Sequence, residues 1–297
     1  MSPAFNTIGI LGREGDPQVL ETVARVAKHL AAAGARVLVE AGLASDSGPK
    51  LEYLPREVLC QQADLITVVG GDGTMLKGAQ AIANRPIPLI GINLGRLGFL
   101  TDISPETLDE DLTAILHGDY QEEERLLLDA WLIRRGQQEP CAPALNDVVV
   151  QKSDGGRLIE FETYVDGRFV CAHRADGIII STPTGSTAYA LSGGGSILHP
   201  QLDAVILVPI CPHALGDRPI VVGGHSQIEI VLNGTHGGRA QVTCDGQHTL
   251  PLQTGDRVRV QRAAHGVKFI HPTNYDYYRI LRTKLHWGHN VRSPRKD

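Results

Sequence analysis

The sequence predicts an α/β domain, a parallel sheet with flanking helices, followed by a mainly β domain. Short apolar strands alternate with amphipathic helices over residues 1–119, whereas strand-like segments joined by turns follow one another over residues 120–270. The tail, residues 271–297, regains mixed helical character, and we expect it to pack on the first domain. A chain of 297 residues is long enough to bury two separate cores.

Start and stop signals define the elements of the first domain. After the strand TIGIL, Asp16 is the expected N-cap of a helix, Pro17 its first residue and Gly34 its stop. Ser104 and Pro105 are expected to start a later helix, SPETLDEDLTAILHG, in the same way. Strands are expected between these helices at RVLVE, DLITVV and IPLIGIN. Such alternation is typical of a parallel sheet with helices on its faces.

The second domain shows no long helical periodicity. The pair Asp166 and Gly167 lies between two strand-like runs and is a hairpin signal. We expect strands at RLLLDAWLIRR, LNDVVVQ, IEFETYVDGRFVC, GIIIST, AVILVPI, PIVV, QIEIVL, AQVTCDGQ, DRVRVQR and VKFIHP.

Composition excludes several classes of function. The formal net charge of -5 disfavours nonspecific binding to nucleic acid or anionic membranes. No apolar run reaches the length of a membrane span, and the N-terminus lacks the pattern of a signal peptide. The five cysteines are widely spaced and contain no C-x-x-C pair, which favours free thiols and a cytoplasmic location: Cys60, Cys141, Cys171, Cys211 and Cys244.

The segment GGDGT follows an apolar strand that ends at Val69, so we expect it at the carboxyl edge of the sheet, where open α/β sheets bind ligands. Glycines allow backbone N–H groups to approach phosphate oxygens closely. Asp72 would repel phosphate unless it accepts a proton from an attacking hydroxyl or holds magnesium. The alternative is a turn in which the aspartate caps the next helix; the glycine-rich setting favours the functional interpretation.

Two further segments offer polar groups to a nucleotide. In LNDVVV, Asn146 and Asp147 can bind an adenine edge and ribose hydroxyls, although an Asx-turn that opens the strand is the alternative. The segment ADGIIISTPTGSTAYALSGGGSILHP is dense in glycine and neutral hydrogen-bonding side chains, and Tyr189 can pack against a base. Its hydroxyls suit ribose, phosphate or base edges: Thr184, Ser186, Thr187, Tyr189 and Ser192.

Together these segments resemble the NAD kinases. GGDGT, LNDVVV and DGIIISTPTGSTAYALSGGG occur in that family's order, and NLGRLGFL and CDGQ match its further motifs. The resemblance implies transfer of the terminal phosphoryl of ATP to the adenosine-ribose 2′-hydroxyl of NAD, which gives NADP. It also implies Mg²⁺ bound mainly through the nucleotide phosphates, and a homodimer or homotetramer.

The resemblance carries over to individual residues. Asp72 matches the catalytic aspartate, with Gly73 beside it, and Asn146 with Asp147 matches the family's pair of asparagine and acid, in which glutamate is frequent. Other NAD-contacting positions match Asp176, Thr187, Ala188, Tyr189 and Ser192. Polar positions near the ligand in the proteobacterial branch match Arg157, Arg174 and Gln247.

Two rival functions share parts of this pattern. A lipid kinase of the diacylglycerol type would carry GGDGT and a β-rich second half, but it has no need of TGSTAY, and no basic amphipathic face is present for a membrane. A non-catalytic dinucleotide sensor would keep the pocket without turnover; the retention of Asp72 between glycines argues against it.

Overall fold

The computed structural model describes residues 4–44, 51–83, 85–95, 97–153, 157–214, 216–235 and 238–287. The chain divides into two compact units, Met1–Glu123 together with Lys268–Asp297, and Glu124–Val267. The first is α/β and the second mainly β, so the predicted fold class is confirmed. No helix in the described part of the chain is long and apolar enough to cross a lipid bilayer.

A seven-stranded sheet forms the centre of the first unit. Its strands are β1 (Thr7–Gly12), β2 (Arg36–Glu40), β3 (Glu52–Leu54), β4 (Leu65–Val69), β5 (Leu89–Ile92), β6 (Gln121–Arg125) and β19 (Val267–His271). They lie in the order β3-β2-β1-β4-β5-β19-β6, and the pairs from β3 to β19 are parallel. The strand VKFIHP was predicted to belong to the β-rich domain, which was wrong, because β19 pairs with β5 in this sheet. Strand propensity identifies a strand but not its partner, which the packing of the chain decides.

The helices of this unit are α1 (Pro17–Ala32), α2 (Arg56–Gln62), α3 (Asp72–Ile82), α4 (Leu108–Leu116) and α6 (Tyr277–Leu285), of which α1, α2 and α3 pack against strands of the sheet. As predicted, the Asp16 side chain caps α1 by accepting the N–H of Gln18 at 3.0 Å. Gly34 has φ +89° directly after the helix ends, which is a conformation that glycine tolerates best. The short elements β3, α2 and β6 were not predicted from the sequence.

The predicted start of α4 was wrong. The helix begins at Leu108 with Thr107 as its N-cap, rather than behind Ser104. Residues 104–107 instead close a turn in which the Thr107 N–H donates to the Ser104 carbonyl at 3.2 Å. The Ser104 hydroxyl meets the Thr107 hydroxyl at 3.3 Å, so it caps no backbone N–H of the helix.

Two six-stranded antiparallel sheets make up the second unit. One has the strand order β11-β10-β15-β18-β7-β8 and the other β14-β13-β12-β9-β16-β17. Their bounds are β7 (Leu128–Arg134), β8 (Gln137–Pro140), β9 (Asp147–Lys152), β10 (Ile159–Val165), β11 (Arg168–Ala175), β12 (Gly177–Ser181), β13 (Ala204–Ile210), β14 (Ile220–Gly223), β15 (Ile228–Gly234), β16 (Ala240–Cys244), β17 (His248–Leu252) and β18 (Arg257–Arg262). A 3₁₀ turn (Thr184–Thr187) and the short helix α5 (Tyr189–Ser192) follow β12.

Apolar side chains from both sheets share one core, as in a β-sandwich. The opposite face of β13 packs with Ala190 and Leu198 in a second cluster, so AVILVPI is buried on both faces. In the run QIEIVL, Ile228, Ile230 and Leu232 are buried in the shared core. The predicted hairpin at Asp166 (φ +51°) and Gly167 (φ +73°) joins β10 to β11 and is confirmed.

Candidate active site

The glycine-rich loop after β4 turns the chain sharply from strand to helix. Gly70 has φ +151°, and a Cβ added there would approach the Thr74 Oγ1 to 2.6 Å, so a side chain does not fit. The Gly70 N–H donates to the Ile92 carbonyl at 2.9 Å, which ties the loop to β5. Added Cβ atoms at Gly71 and Gly73 would meet no atom of the described residues within 4 Å. The backbone at the start of α3 is therefore open to a ligand, and a helix N-terminus favours phosphate.

Asp72 is the first residue of α3, and its carboxylate is held by a distant segment. The Leu100 N–H donates to Oδ1 at 2.9 Å and the Phe99 N–H donates to Oδ2 at 3.1 Å. A Cβ at Gly98 would take the space of the Asp72 Oδ1 oxygen, so glycine is required there. The motif NLGRLGFL thus orients the carboxylate of GGDGT. Both motifs were identified in the sequence, but the contact between them was not predicted. The local signal for such a close approach was Gly98, a position without a side chain.

In the second unit, Asp245 shapes the segment that carries Asn146 and Asp147. Its carboxylate accepts the backbone N–H groups of Leu145 at 2.9 Å, Asn146 at 2.8 Å and Asp147 at 3.1 Å. Asp245 is 8% exposed and, with φ +49°, occupies the turn between β16 and β17. Within the motif CDGQ, Gln247 was predicted to lie near the ligand, whereas no role was predicted for Asp245. An aspartate in a turn commonly bonds its own neighbours, so nothing local indicated this role.

The loop after β12 packs directly on the same segment. The Thr182 hydroxyl donates to the Leu145 carbonyl at 2.5 Å and accepts the Gly185 N–H at 3.1 Å. A Cβ at Gly185 would collide with the carbonyl oxygen of Asn146, so only glycine permits this approach. The hydroxyl-rich loop after β12 and the segment that carries Asn146 and Asp147 are therefore packed tightly against each other within the second unit.

These two loops border a pocket of ≈ 340 Å³. Four of the predicted site residues line it: Asn146, Asp147, Ala188 and Tyr189. Asp245 and Gly246 line it as well. The Tyr189 ring is 41% exposed, which leaves its face available for stacking. A concave site with few convergent polar groups and one flat ring is suited to a nucleoside.

The other predicted residues of this unit lie outside that lining. Asp176 pairs with Lys152 at 2.6 Å, and its charge contributes to the raised pKa of the Tyr189 phenol, for which burial is the main cause. The Thr187 hydroxyl donates to the Thr184 carbonyl at 3.1 Å and so closes the 3₁₀ turn. Exposed positions are occupied by Arg157, Arg174, Ser192 and Gln247.

Two family models match most of the chain. Residues 8–120 match the ATP-NAD kinase N-terminal domain, and residues 145–272 match the ATP-NAD kinase C-terminal domain. The chain belongs to the ATP-NAD kinase family.

This chain aligns with its relatives over nearly their full length. It is 47% identical to the NAD kinase of Nitrosococcus oceani, over 98% of this chain and 100% of that protein. It is 46% identical to the NAD kinase of Pseudomonas fluorescens, over 96% of each. Among solved structures, yeast NADH kinase complexed with NADH has a TM-score of 0.89 at 25% identity, over 99% of this chain and 91% of that one. The Archaeoglobus fulgidus NAD kinase in complex with ATP has a TM-score of 0.74 at 30% identity, over 94% and 98%.

Asp147 is expected to make the free energy of unfolding depend on pH. Burial, together with the charge of Asp245, raises the pKa of the Asp147 carboxyl from 3.8 to about 7. Between these values the folded state holds a proton that the unfolded state has lost, so folding is favoured at low pH and this contribution is lost as pH rises through about 7.

The side chain introduced by Asp147→Asn cannot ionise. The melting temperature of this variant should exceed that of the wild type by an amount that grows from pH 5 to pH 8. A constant difference across this range would contradict the shift.

Proposed function

We propose that this chain transfers the terminal phosphoryl of ATP to the 2′-hydroxyl of the adenosine ribose of NAD, with Asp72 as the catalytic base. As a member of the NAD kinase family it is a phosphotransferase that forms NADP from NAD and ATP. The observation that supports the assignment to Asp72 is its carboxylate at the start of α3, held by two backbone amides and flanked by open glycines.

Phosphoryl transfer requires alignment and charge stabilisation more than covalent chemistry from the protein. The amides of Phe99 and Leu100 fix the direction of the Asp72 carboxylate and leave each oxygen a further lone pair. Aspartate is a weak base at neutral pH, but it can accept the hydroxyl proton late in a loose transition state if the hydroxyl is aligned. The backbone at Gly71 and Gly73 offers N–H groups and the positive end of the helix dipole to phosphate.

The pocket of the second unit is proposed to hold the adenosine half of NAD. The Asn146 amide can both donate to and accept from an adenine edge, and the Asp147 carboxyl can bind ribose hydroxyls. Tyr189 supplies a stacking face. Following the family resemblance, we also assign contacts with NAD to Asp176, Thr187, Ala188, Ser192, Arg157, Arg174 and Gln247.

Magnesium is proposed to enter with the nucleotide. The described residues contain no group of three or more histidine, cysteine or acidic side chains that could hold a metal ion. We assign Mg²⁺ no protein ligand and expect it to be bound mainly through the phosphate oxygens of the nucleotide. When bound, Mg²⁺ neutralises phosphate charge during transfer.

The test of the NAD pocket is Asn146→Ala. We expect this variant to raise the Michaelis constant for NAD about 10-fold or more, because a positioned hydrogen-bonding partner is lost, and to leave that for ATP nearly unchanged. The matched control is Asn233→Ala, which removes an exposed asparagine on β15. Equal effects on the two Michaelis constants would place Asn146 away from NAD.

One assay separates the rival functions. Incubation with ATP, Mg²⁺ and NAD should yield NADP. NAD binding without product would favour a sensor, and phosphorylation of diacylglycerol instead of NAD would favour a lipid kinase.

Assembly as a homodimer or homotetramer and a cytoplasmic location complete the proposal. The resemblance supports the oligomer, as do the large apolar side chains of Phe169 and Val221, which are 58% and 49% exposed on the edge strands β11 and β14. Light scattering that gave a monomer at micromolar concentration would refute the oligomer. All five cysteines are free thiols, which supports a reducing compartment; fractionation of cells tests that location.

A further inference from the structure

Three side chains of the second unit form a hydrogen-bonded chain that the proposed kinase reaction does not use. Cys171 and His173 are two residues apart on β11, so their side chains lie on the same face of the strand. The Cys171 Sγ lies 2.8 Å from the His173 Nε2, and the His173 Nδ1 lies 3.0 Å from the Asp217 Oδ2. This order of thiol, imidazole and carboxylate matches the logic of an activated nucleophile.

The surroundings hold the chain in place and leave room beside the sulfur. His173 is 8% exposed and stacks on Phe161 with ring centroids 5.0 Å apart. A pocket of ≈ 190 Å³ adjoins all three members of the chain, and its other walls include Val170, Ile178, Leu207, Pro209 and Ile220. Thr163, which is paired with Cys171 across the strands, also lines it. The Thr163 hydroxyl is buried and has no hydrogen-bond partner among the described residues.

The contacts describe a base and a thiol, not the ligands of a metal. Two ligands of a tetrahedral zinc ion, one sulfur and one nitrogen, lie ~3.5 Å apart, which is more than the observed separation of Sγ and Nε2. Asp217 accepts from Nδ1, so the hydrogen-bond network assigns the proton to Nδ1 and leaves Nε2 to accept from the thiol. Burial raises the pKa of the Cys171 thiol, and the Asp217 charge adds to this effect. Because its pKa is raised, the Cys171 thiol by itself would rarely ionise and would react slowly. A base in contact with the sulfur, here His173, removes this obstacle.

We propose that Cys171 is a reactive thiol that small uncharged hydroperoxides oxidise to a sulfenic acid. His173 activates this thiol, and Asp217 orients His173. As the thiol proton passes to His173 Nε2, the sulfur attacks one peroxide oxygen and the O–O bond breaks. The departing alkoxide or hydroxide takes the proton back from the imidazolium and leaves as alcohol or water. Sulfur loses two electrons and the peroxide gains two. The size and mostly apolar walls of the pocket admit such a molecule, and the Thr163 hydroxyl can donate to its oxygen.

The experiment uses hydrogen peroxide on the full chain, dimedone to trap sulfenic acid, and peptide mass spectrometry. Cys211 is an exposed thiol in the same molecule and serves as the internal standard. We expect Cys171 to be labelled at least 10-fold faster than Cys211. His173→Asn should slow labelling of Cys171 at least 10-fold and leave Cys211 unchanged. Asp217→Asn should slow labelling of Cys171 by a smaller factor.

Two results would overturn the proposal. One is labelling of Cys211 as fast as Cys171 in the wild type. The other is an unchanged rate at Cys171 in both His173→Asn and Asp217→Asn. If His173→Asn unfolds, shown by rapid labelling of Cys244, which is buried in the same unit, the milder Asp217→Asn decides alone. Cys171→Ser, which must abolish the adduct on that peptide, confirms the assignment of the label.

Discussion

Asp72→Asn is expected to lower the turnover number for NADP formation by about two orders of magnitude or more, because the amide keeps the shape of the side chain and removes the base. The asparagine oxygen can still accept one of the two amides, from Phe99 or Leu100, so the loop should remain in place. The Michaelis constant for NAD should change much less. Steady-state kinetics with both substrates varied measure these effects.

The matched control is Asp109→Asn, the same change in the first turn of α4, where the carboxylate is exposed and pairs with Arg25. It should leave turnover within about two-fold, since exposed ion pairs contribute little. A second variant, Gly98→Ala, keeps the carboxylate but displaces it, and should lower turnover about 10-fold or more. Near-normal turnover in Asp72→Asn would refute its role as base.

Asp245→Ala is the second change from which we expect a large effect. It removes the acceptor for the N–H groups of Leu145, Asn146 and Asp147 at once. Unsatisfied buried donors should lower the free energy of unfolding by roughly 2–4 kcal/mol, with part of the loss offset by relief of the repulsion between Asp147 and Asp245. We expect kcat/KM for NAD to fall about 100-fold or more as the segment loses its shape.

Asp166→Ala is a closely matched control for this prediction. Asp166 and Asp245 have φ +51° and +49°, and each precedes a glycine in a hairpin turn. Alanine suffers the same backbone strain at both sites. Asp166, however, accepts from Ser226 and Gln227 at the surface, away from the pocket. Chemical denaturation and kinetics should therefore show a small loss of stability and near-normal kcat/KM in the control. Equal kinetic loss in both variants would remove Asp245 from substrate binding.

Local patterns in the sequence were sufficient to predict most of the architecture. The cap at Asp16, the stop at Gly34 and the turn at Asp166 and Gly167 involve residues that are neighbours along the chain. Their conformations follow from side-chain chemistry and allowed φ values within a few residues. The same locality explains the failure at α4, because Ser104 carries a cap signal in sequence but its hydroxyl bonds another side chain in the fold.

The sequence alone determined the fold class, the NAD kinase motifs and the presence of Asp72 and Asn146 in polar loops that follow or precede buried strands. Only the tertiary structure decided which groups hold those residues. Phe99 and Leu100 bond a side chain 27 and 28 positions away, and Asp245 bonds amides 98 to 100 positions away. The raised pKa of Asp147 depends on the burial and the second carboxylate that this folding creates. Such contacts leave no periodic signal along the chain, because strand pairing and loop closure bring their partners together only when the unit is folded.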